Sequence, residues 1–375
     1  MGYQTELGNQ EKPGNRCGRA SRRWGATLTN PAASPQAAFT PPTEADFQAR
    51  QIDLFRAFLC NGEAERDRLS NTFDLWDSVP RYAVSRQQMD KLRKAKGFLD
   101  LRQVEFHYRG KLMTAVIHAA RVLDKETGGS KDYYPSANEE LVEDALRKLA
   151  AEQRNAFFDQ VNFRSGVVFT LYMLREELKK RGHTRSYQEI VLSLRILAHS
   201  TIEIGAEAGQ GGGGFAVSPY FPWLAAVSRG RLATDPQAKW IVQFHPLVTQ
   251  AIDALTYRQF GYAQMMGCRT QLARWVYKQL SLKFTFASMA TTFELRYSTV
   301  KRDSALLEGY GRGRKAVEVL DAALAELQAA GVLAHVTKRT LQGLRGKLED
   351  VAYTLSPSAE FCGRPMKAAR GCLPR

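Results

Sequence analysis

The stretch GRGRKAVEVLDAALAELQAAG, Gly311 to Gly331, restricts the fold more than any other part of the chain. Val317, Leu320, Leu324 and Leu327 recur at helical spacing and make one apolar stripe, which demands a helix with one face against a core. Gly331 supplies the left-handed residue that commonly ends such a helix. The charges run against the helix: Arg312, Arg314 and Lys315 crowd the first turn, and Glu318, Asp321 and Glu326 follow. The N-terminus is the positive end of the macrodipole, so cations there are mildly destabilising. Their presence points to a task other than stability. A helix entering the major groove of DNA touches bases and phosphates mainly with its N-terminal residues, and this helix fits that pattern. A surface helix that simply begins with basic residues has the same spacing.

The overall charge agrees with the first reading. Lys and Arg number 53 against 38 Asp and Glu, a net charge of +15, and such an excess favours a polyanionic partner, nucleic acid before a membrane surface. No apolar run is long enough to span a bilayer, and no charged-then-apolar leader is expected at the N-terminus. The five cysteines (Cys17, Cys60, Cys268, Cys362 and Cys372) are scattered and form no CxxC pair. A reducing compartment is therefore expected, rather than a disulfide framework or a zinc finger.

A chain of 375 residues has room for two domains and tails, at roughly 150 residues per domain. Residues 1–46 are rich in Gly, Pro, Ala, Asn and Thr without periodicity and are expected to be a disordered tail. Residues 47–97 read as a linker or arm. Within them, Gln51-Ile52-Asp53-Leu54-Phe55 has the chemistry of a docking peptide: Leu54 and Phe55 for an apolar cleft, the Gln51 amide for its rim. Ile52, Phe55 and Leu59 also fit one face of an amphipathic helix. The basic RQQMDKLRKAKG beyond suits either an arm along a DNA backbone or a solvated linker.

Residues 98–245 form the first expected module. QVEFHYRGKLMTAVIHAARV alternates as a hairpin turned at Arg109-Gly110; His107 and His118 read as half-buried strand residues, with no other ligand at metal spacing. NEELVEDALRKLA is expected to be an amphipathic helix with Leu141, Ala145, Leu146 and Leu149 inward. In VVFTLYMLREELKKRGHTRSYQEIVLSLRILAHSTIEI, one helix carries Leu171, Leu174 and Leu178 and stops near Gly182. After a short turn, Ser186 and Glu189 make a capping box, and a second helix turns Ile190, Leu194 and Leu197 to the core before the strand TIEI. Helix, short turn, helix, strand is the order of a winged helix-turn-helix. His183, Arg185, Ser186, Gln188 and Arg195 are then the side chains for DNA, of types suited to base edges and phosphates. An ordinary helical hairpin gives the same pattern. The glycines between Gly205 and Gly214 read as a flexible wing tip or inter-strand linker; no GK[ST] follows to make them a phosphate cradle. Two strand-like runs, WLAAVSRGRL and KWIVQFHPLV, close the module.

The second expected module is 246–355, followed by a loose basic tail at 356–375. Pro246 opens a helix, and CRTQLARWVYKQLSLKF is another, with Leu272, Trp275, Val276 and Leu280 inside. Arg296, Lys301 and Arg302 precede the helix described first. GVLAHVTKRTLQGLRGKLEDVAYTLSP then reads as two strands around a basic turn bearing Lys338, Arg339, Arg345 and Lys347: a wing on phosphates or a solvated hairpin. The order of helix, turn, helix, strand and wing thus occurs twice. The expected fold is mainly α with small β-sheets (α+β), as tandem winged helix-turn-helix domains.

Catalytic patterns are missing. There is no Walker A motif, no His-apolar-His pair with a following Tyr, and no acidic cluster at two-metal spacing. A binding protein without cofactor or metal is expected, not an enzyme.

The clamp-like QIDLF, the helical pair ending in TIEI, and GRGRKAVEVLDAALAELQAAGVLAHV together resemble the plasmid replication initiators with two winged-helix modules, the Rep family, and within it the TrfA type. The resemblance spans about Gln51 to Val336. It implies binding to direct repeats (iterons) at a plasmid origin, melting of an AT-rich element, and recruitment of the host replicative helicase with its loader. It implies that Gln51, Leu54 and Phe55 dock on the polymerase sliding clamp, that the monomer is active in replication and a homodimer inactive or autoregulatory, and that the protein works on plasmid DNA in the bacterial cytoplasm. The Gly-rich loop departs from the family pattern. A winged-helix transcriptional regulator without a replication role shares the basic surface, with Gln51 to Phe55 then merely structural.

Overall fold

The alternating hairpin, the capping boxes and the stripe on the last long helix all form, within a mixed fold of helices and small antiparallel sheets. The computed structural model describes residues 67–362 except 124–127, 153–154, 210–211, 229, 233, 255, 285–286 and 343–347. All of these belong to one unit, Pro42–Arg375. The expected tail 1–46, the peptide Gln51, Leu54 and Phe55, and the turn residues Arg345 and Lys347 lie outside the described residues.

The chain enters through β1 (Ser70–Phe73) and α1 (Asp74–Ser78), then α2 (Arg86–Lys96), which starts at the Ser85–Gln88 capping box. β2 (Arg102–Tyr108) and β3 (Lys111–His118) make the expected hairpin, and β4 (Ala120–Leu123) pairs with β5 (Ser130–Tyr133). Next come α3 (Ala137–Ala151), β6 (Ala156–Asp159), β7 (Arg164–Thr170), α4 (Leu171–Lys180) and α5 (Tyr187–His199). β8 (Thr201–Gly209) and β9 (Gly212–Pro219) form a hairpin, and β10 (Trp223–Val227) pairs with β11 (Lys239–Gln243). The remainder is α6 (Pro246–Asp253), β12 (Tyr257–Phe260), α7 (Tyr262–Gly267), α8 (Gln271–Lys283), β13 (Phe293–Arg296), α9 (Tyr297–Ser304), α10 (Gly313–Ala329), β14 (Leu333–Gln342), β15 (Leu348–Pro357) and α11 (Ala359–Cys362).

One arrangement recurs. Helix, strand, helix, helix, strand, strand occurs without interruption as α8, β13, α9, α10, β14, β15, and as α3, β7, α4, α5, β10, β11 with β6 inserted before β7 and the hairpin of β8 and β9 before β10. In the first sheet β11 lies between β10 and β7, with β6 beyond β7, and in the second β15 lies between β14 and β13. β7 and β11 approach so closely that a Cβ on Gly166 would sit 2.0 Å from the Val242 carbonyl oxygen.

Three expectations change. The strand TIEI is the start of β8, which joins β3 and β9 in the separate sheet β2-β3-β8-β9; the Gly-rich stretch is therefore the tip of that sheet's hairpin, and the turn of the first repeat is the segment between β10 and β11. Residues 67–97, expected as a linker or arm, are partly built into the core: Phe73, Trp76, Arg81, Tyr82 and Met89 are buried. The tail expected from 356 begins inside β15 and continues into α11, whose Phe361 packs edge-on against Tyr277.

The most buried helix, α3, is also heavily charged. Glu139, Glu140, Glu143, Asp144, Arg147 and Lys148 of α3 are all buried; Lys148 pairs with Glu152 at the end of its own helix at 3.1 Å, and the other five meet partners from elsewhere in the chain. The Asp77 carboxylate accepts from Arg147 at 2.8 and 2.9 Å, Arg81 at 3.1 Å, the Thr72 hydroxyl at 2.8 Å and the Phe73 amide at 2.8 Å. Glu143 accepts from Trp76 Nε1 at 2.6 Å, Arg81 at 3.1 Å and the Tyr82 hydroxyl. Arg81 also lies over the Trp76 ring, 4.2 Å from its centroid, and His245 stacks on the same ring at 4.2 Å. Lys278 of α8 reaches Asp144 at 2.7 Å and Glu140 at 3.3 Å. Burial opposes the charge on Lys278, but Asp144 and Glu140 outweigh it and raise its pKa. Buried charges satisfied in this way are tolerated, and an unpaired one would not be.

Candidate nucleic-acid interface

α10 buries Ala316, Val317, Leu320, Ala323, Leu324 and Leu327 and ends as expected at Gly331, φ 69°. Its N-terminus projects outward. Arg312 holds the cap position without a side-chain cap, and the side chains of Arg314 and Lys315 are 92% and 63% exposed. Glu318 faces them, 3.8 Å from Arg314 and 3.4 Å from Lys315. Asp321, one turn further, accepts from Lys338 at 2.6 Å and from the Tyr353 hydroxyl at 2.7 Å. Among the described residues no ion pair involves Arg312, Lys301 or Arg339. A helix start with exposed cations, unfilled amides and no acidic group in its first turn is a ready anion site.

The other basic residues of this half divide between two faces of the sheet. Lys338 is in register with Tyr353 and Leu295, both buried, on the face that receives α10. Arg339 and Arg296 flank Ala352 in the next row, and paired residues of neighbouring strands share a face, so both project from the opposite side. There Arg296 pairs with Glu294 at 2.9 Å. Arg296 and Arg339, both expected to contact DNA, therefore lie apart from the α10 surface. Arg302 is held by Asp303 at 2.7 Å, while Asp303 also accepts from the His107 amide at 3.1 Å.

The first repeat presents less. Its turn is set by Gly182, φ 82°, and Ser186 and Glu189 form the expected capping box, with the Glu189 amide donating to Ser186 Oγ at 3.2 Å. His183 is not free: its Nε2 lies 2.7 Å from the Met266 carbonyl oxygen, and burial lowers its pKa despite that contact. Arg185 donates to Asn138 Oδ1 at 2.9 Å and to the Thr184 carbonyl at 2.9 Å. α5 is sandwiched. Ile196 packs on Ala120 and Val122 of β4, and Ser193 donates to Glu139 of α3 at 2.7 Å. Gln188 is exposed and Arg195 half-buried. Residues 229 and 233 in the turn between β10 and β11 are not described, and Arg231 there is exposed.

One feature near α10 was visible in the sequence without a placement. Gln88 of α2 abuts Gly309 in the turn before α10, where an added Cβ would meet its amide at 2.6 Å, and Arg102 pairs with Glu308 of the same turn at 2.6 Å. Lys91 and Lys94, one turn further along α2, are exposed. The run RQQMDKLRKAKG carries that signal, but only the tertiary fold brings it beside the turn. Among the described residues no helix is long and apolar enough to cross a membrane.

No family model matches the chain, and no curated protein sequence matches it. Solved structures do. Two crystal structures of domains 2 and 3 of RctB are similar at TM-scores of 0.45 and 0.41, each with 11% identity over 70% of this chain and 92% of the other. The Pi initiator protein in complex with iteron DNA gives a TM-score of 0.33, with 11% identity over 78% of this chain and 99% of that one.

Proposed function

We propose that the chain is a replication initiator of the plasmid type, an adaptor without catalysis that binds repeated double-stranded sites at an origin. The observation that carries DNA binding is the exposed basic N-terminus of α10 on a helix otherwise packed into the core. We read each repeat of helix, strand, helix, helix, strand, strand as a winged helix-turn-helix. Arg312, Arg314 and Lys315 are assigned to base edges and phosphates of one major groove, and Lys301, Lys338 and Arg345 to flanking phosphates. Arg185, Ser186, Gln188 and Arg195 serve the second site, Ser186 through the helix terminus it caps.

Melting of an AT-rich element, recruitment of helicase and loader, clamp docking through Gln51, Leu54 and Phe55, and an inactive homodimer complete the reading. These rest on the sequence resemblance, as does action on plasmid DNA in the bacterial cytoplasm.

Footprinting of the purified protein on the DNA flanking its own gene tests this. Regular protection over tandem repeats of about two helical turns each, with enhanced single-strand reactivity in a nearby AT-rich stretch, is expected. One inverted site at a promoter without melting would make the protein a transcriptional regulator. No sequence-dependent protection would overturn DNA recognition itself.

A further inference from the structure

The two candidate reading helices are joined by a chain of polar contacts that is buried along α3 and exposed where it reaches α10. Ser193 of α5 donates to Glu139 of α3 at 2.7 Å. On α3, the adjacent Glu140 and, one turn on, Asp144 hold Lys278 of α8 at 3.3 and 2.7 Å. At the start of α8, Thr270 Oγ1 donates to Glu326 of α10 at 2.5 Å. Each helix is thus tied by a glutamate to the long helix of its own repeat, and the two long helices are tied to each other by Lys278.

The segment 71–82 backs this joint. Gln279 of α8 donates to the Asp77 carbonyl at 3.2 Å and Gln271 to the Tyr82 carbonyl at 3.0 Å, while Asp77 also holds Arg147 of α3. Lys278, Asp144 and Glu140 have side chains only 4%, 3% and 7% exposed. Apolar packing is non-directional and tolerates sliding, whereas charge-assisted hydrogen bonds fix distance and angle. Buried ion pairs are often no more stabilising than apolar side chains of similar volume; their best-attested use is to select one arrangement.

We propose that Lys278 is a positioning residue: with Asp144 and Glu140 it fixes the rotational setting of α5 relative to α10, so that the chain reads a composite DNA site of one spacing only. This rests on the reading of the chain as a double-stranded DNA-binding protein. One inserted base pair turns half of the site by about 34° and moves it by about 3.4 Å, which a fixed pair of helices does not follow.

The test uses the full chain and a site selected from random duplexes, with one or two base pairs added between the protected halves. The wild type is expected to lose on the order of tenfold in affinity per inserted base pair. Lys278→Met, and the neutral triple variant Lys278→Met/Asp144→Asn/Glu140→Gln if the single change does not fold, are expected to bind the altered sites within about threefold of the original. A wild type that accepts the insertions overturns the proposal and leaves DNA recognition standing, as does a folded variant that keeps the wild-type profile. A second readout needs no DNA. Energy transfer between dyes on non-canonical residues at Gln188 and Ala322 should give one narrow distance in the wild type and a broad one in the variant. Equal widths sink the proposal, and failure to select any duplex sinks the DNA reading alone.

Discussion

Glu143 and Asp77 are ionised in an interior that ought to suppress them. Burial raises the Glu143 carboxyl, but Arg147 and Arg81 outweigh it and hold it at about 2, below its ordinary 4.5. Asp77 is depressed further by the same two arginines, again against burial. A carboxyl whose folded pKa is depressed stabilises the fold above its unfolded pKa and ceases to do so as pH falls through the folded one. Stability should therefore be full above pH about 4.5 and fall between 4.5 and 2, with roughly 3 kcal/mol from Glu143 alone. Urea unfolding at pH 6 and pH 3 measures this; equal midpoints would mean that these carboxylates are not ionised in the fold. None of it was legible in the sequence. Glu139, Glu140, Glu143 and Asp144 look like the solvated face of an amphipathic helix, because their partners Arg81, Arg86 and Lys278 lie far outside any local window.

At the scale of elements, α10 was the most legible part of the molecule, since its stripe, its basic start and Gly331 are all local signals. Arg312→Ala or Arg314→Ala should weaken binding to the specific site by about 1–3 kcal/mol if a bidentate base contact is lost. Titration of specific and random duplexes checks it, and equal losses on both would reduce these residues to phosphate contacts. α5 was legible as a helix but not as a covered one. The stripe Ile190, Leu194 and Leu197 marks one buried face, but Ile196 on another face is buried too, against Ala120 and Val122 from a hairpin seventy or so positions earlier. The faces of β13 and β14 were likewise invisible. Arg339 follows Lys338 directly, and only the pairing register puts it on the other face, beside Arg296 of a distant strand.

For the whole molecule, the net charge of +15 gives no fold, but it sets the response to salt. Each neutralised phosphate contributes about −0.9 to the slope of log K against log salt. With Arg312, Arg314, Lys315 and Lys338 engaged, a slope steeper than about −3 is expected; a flat response in a filter-binding series would remove nucleic acid from consideration.

The pairing of Ser70–Phe73 with Tyr257–Phe260 has a bearing on how such a chain comes into being. On the ribosome, β1 emerges long before the strand that completes it, and Asp77 and Arg81 leave the tunnel before Arg147, Gln279 or Lys278 exist. The first repeat must wait, with an open strand edge and half-neutralised charges, until translation has passed Leu282. Long-range pairing of this kind makes folding slow and leaves the nascent chain prone to association. The early half of the polypeptide is thus the stage at which a chaperone has the most to shield.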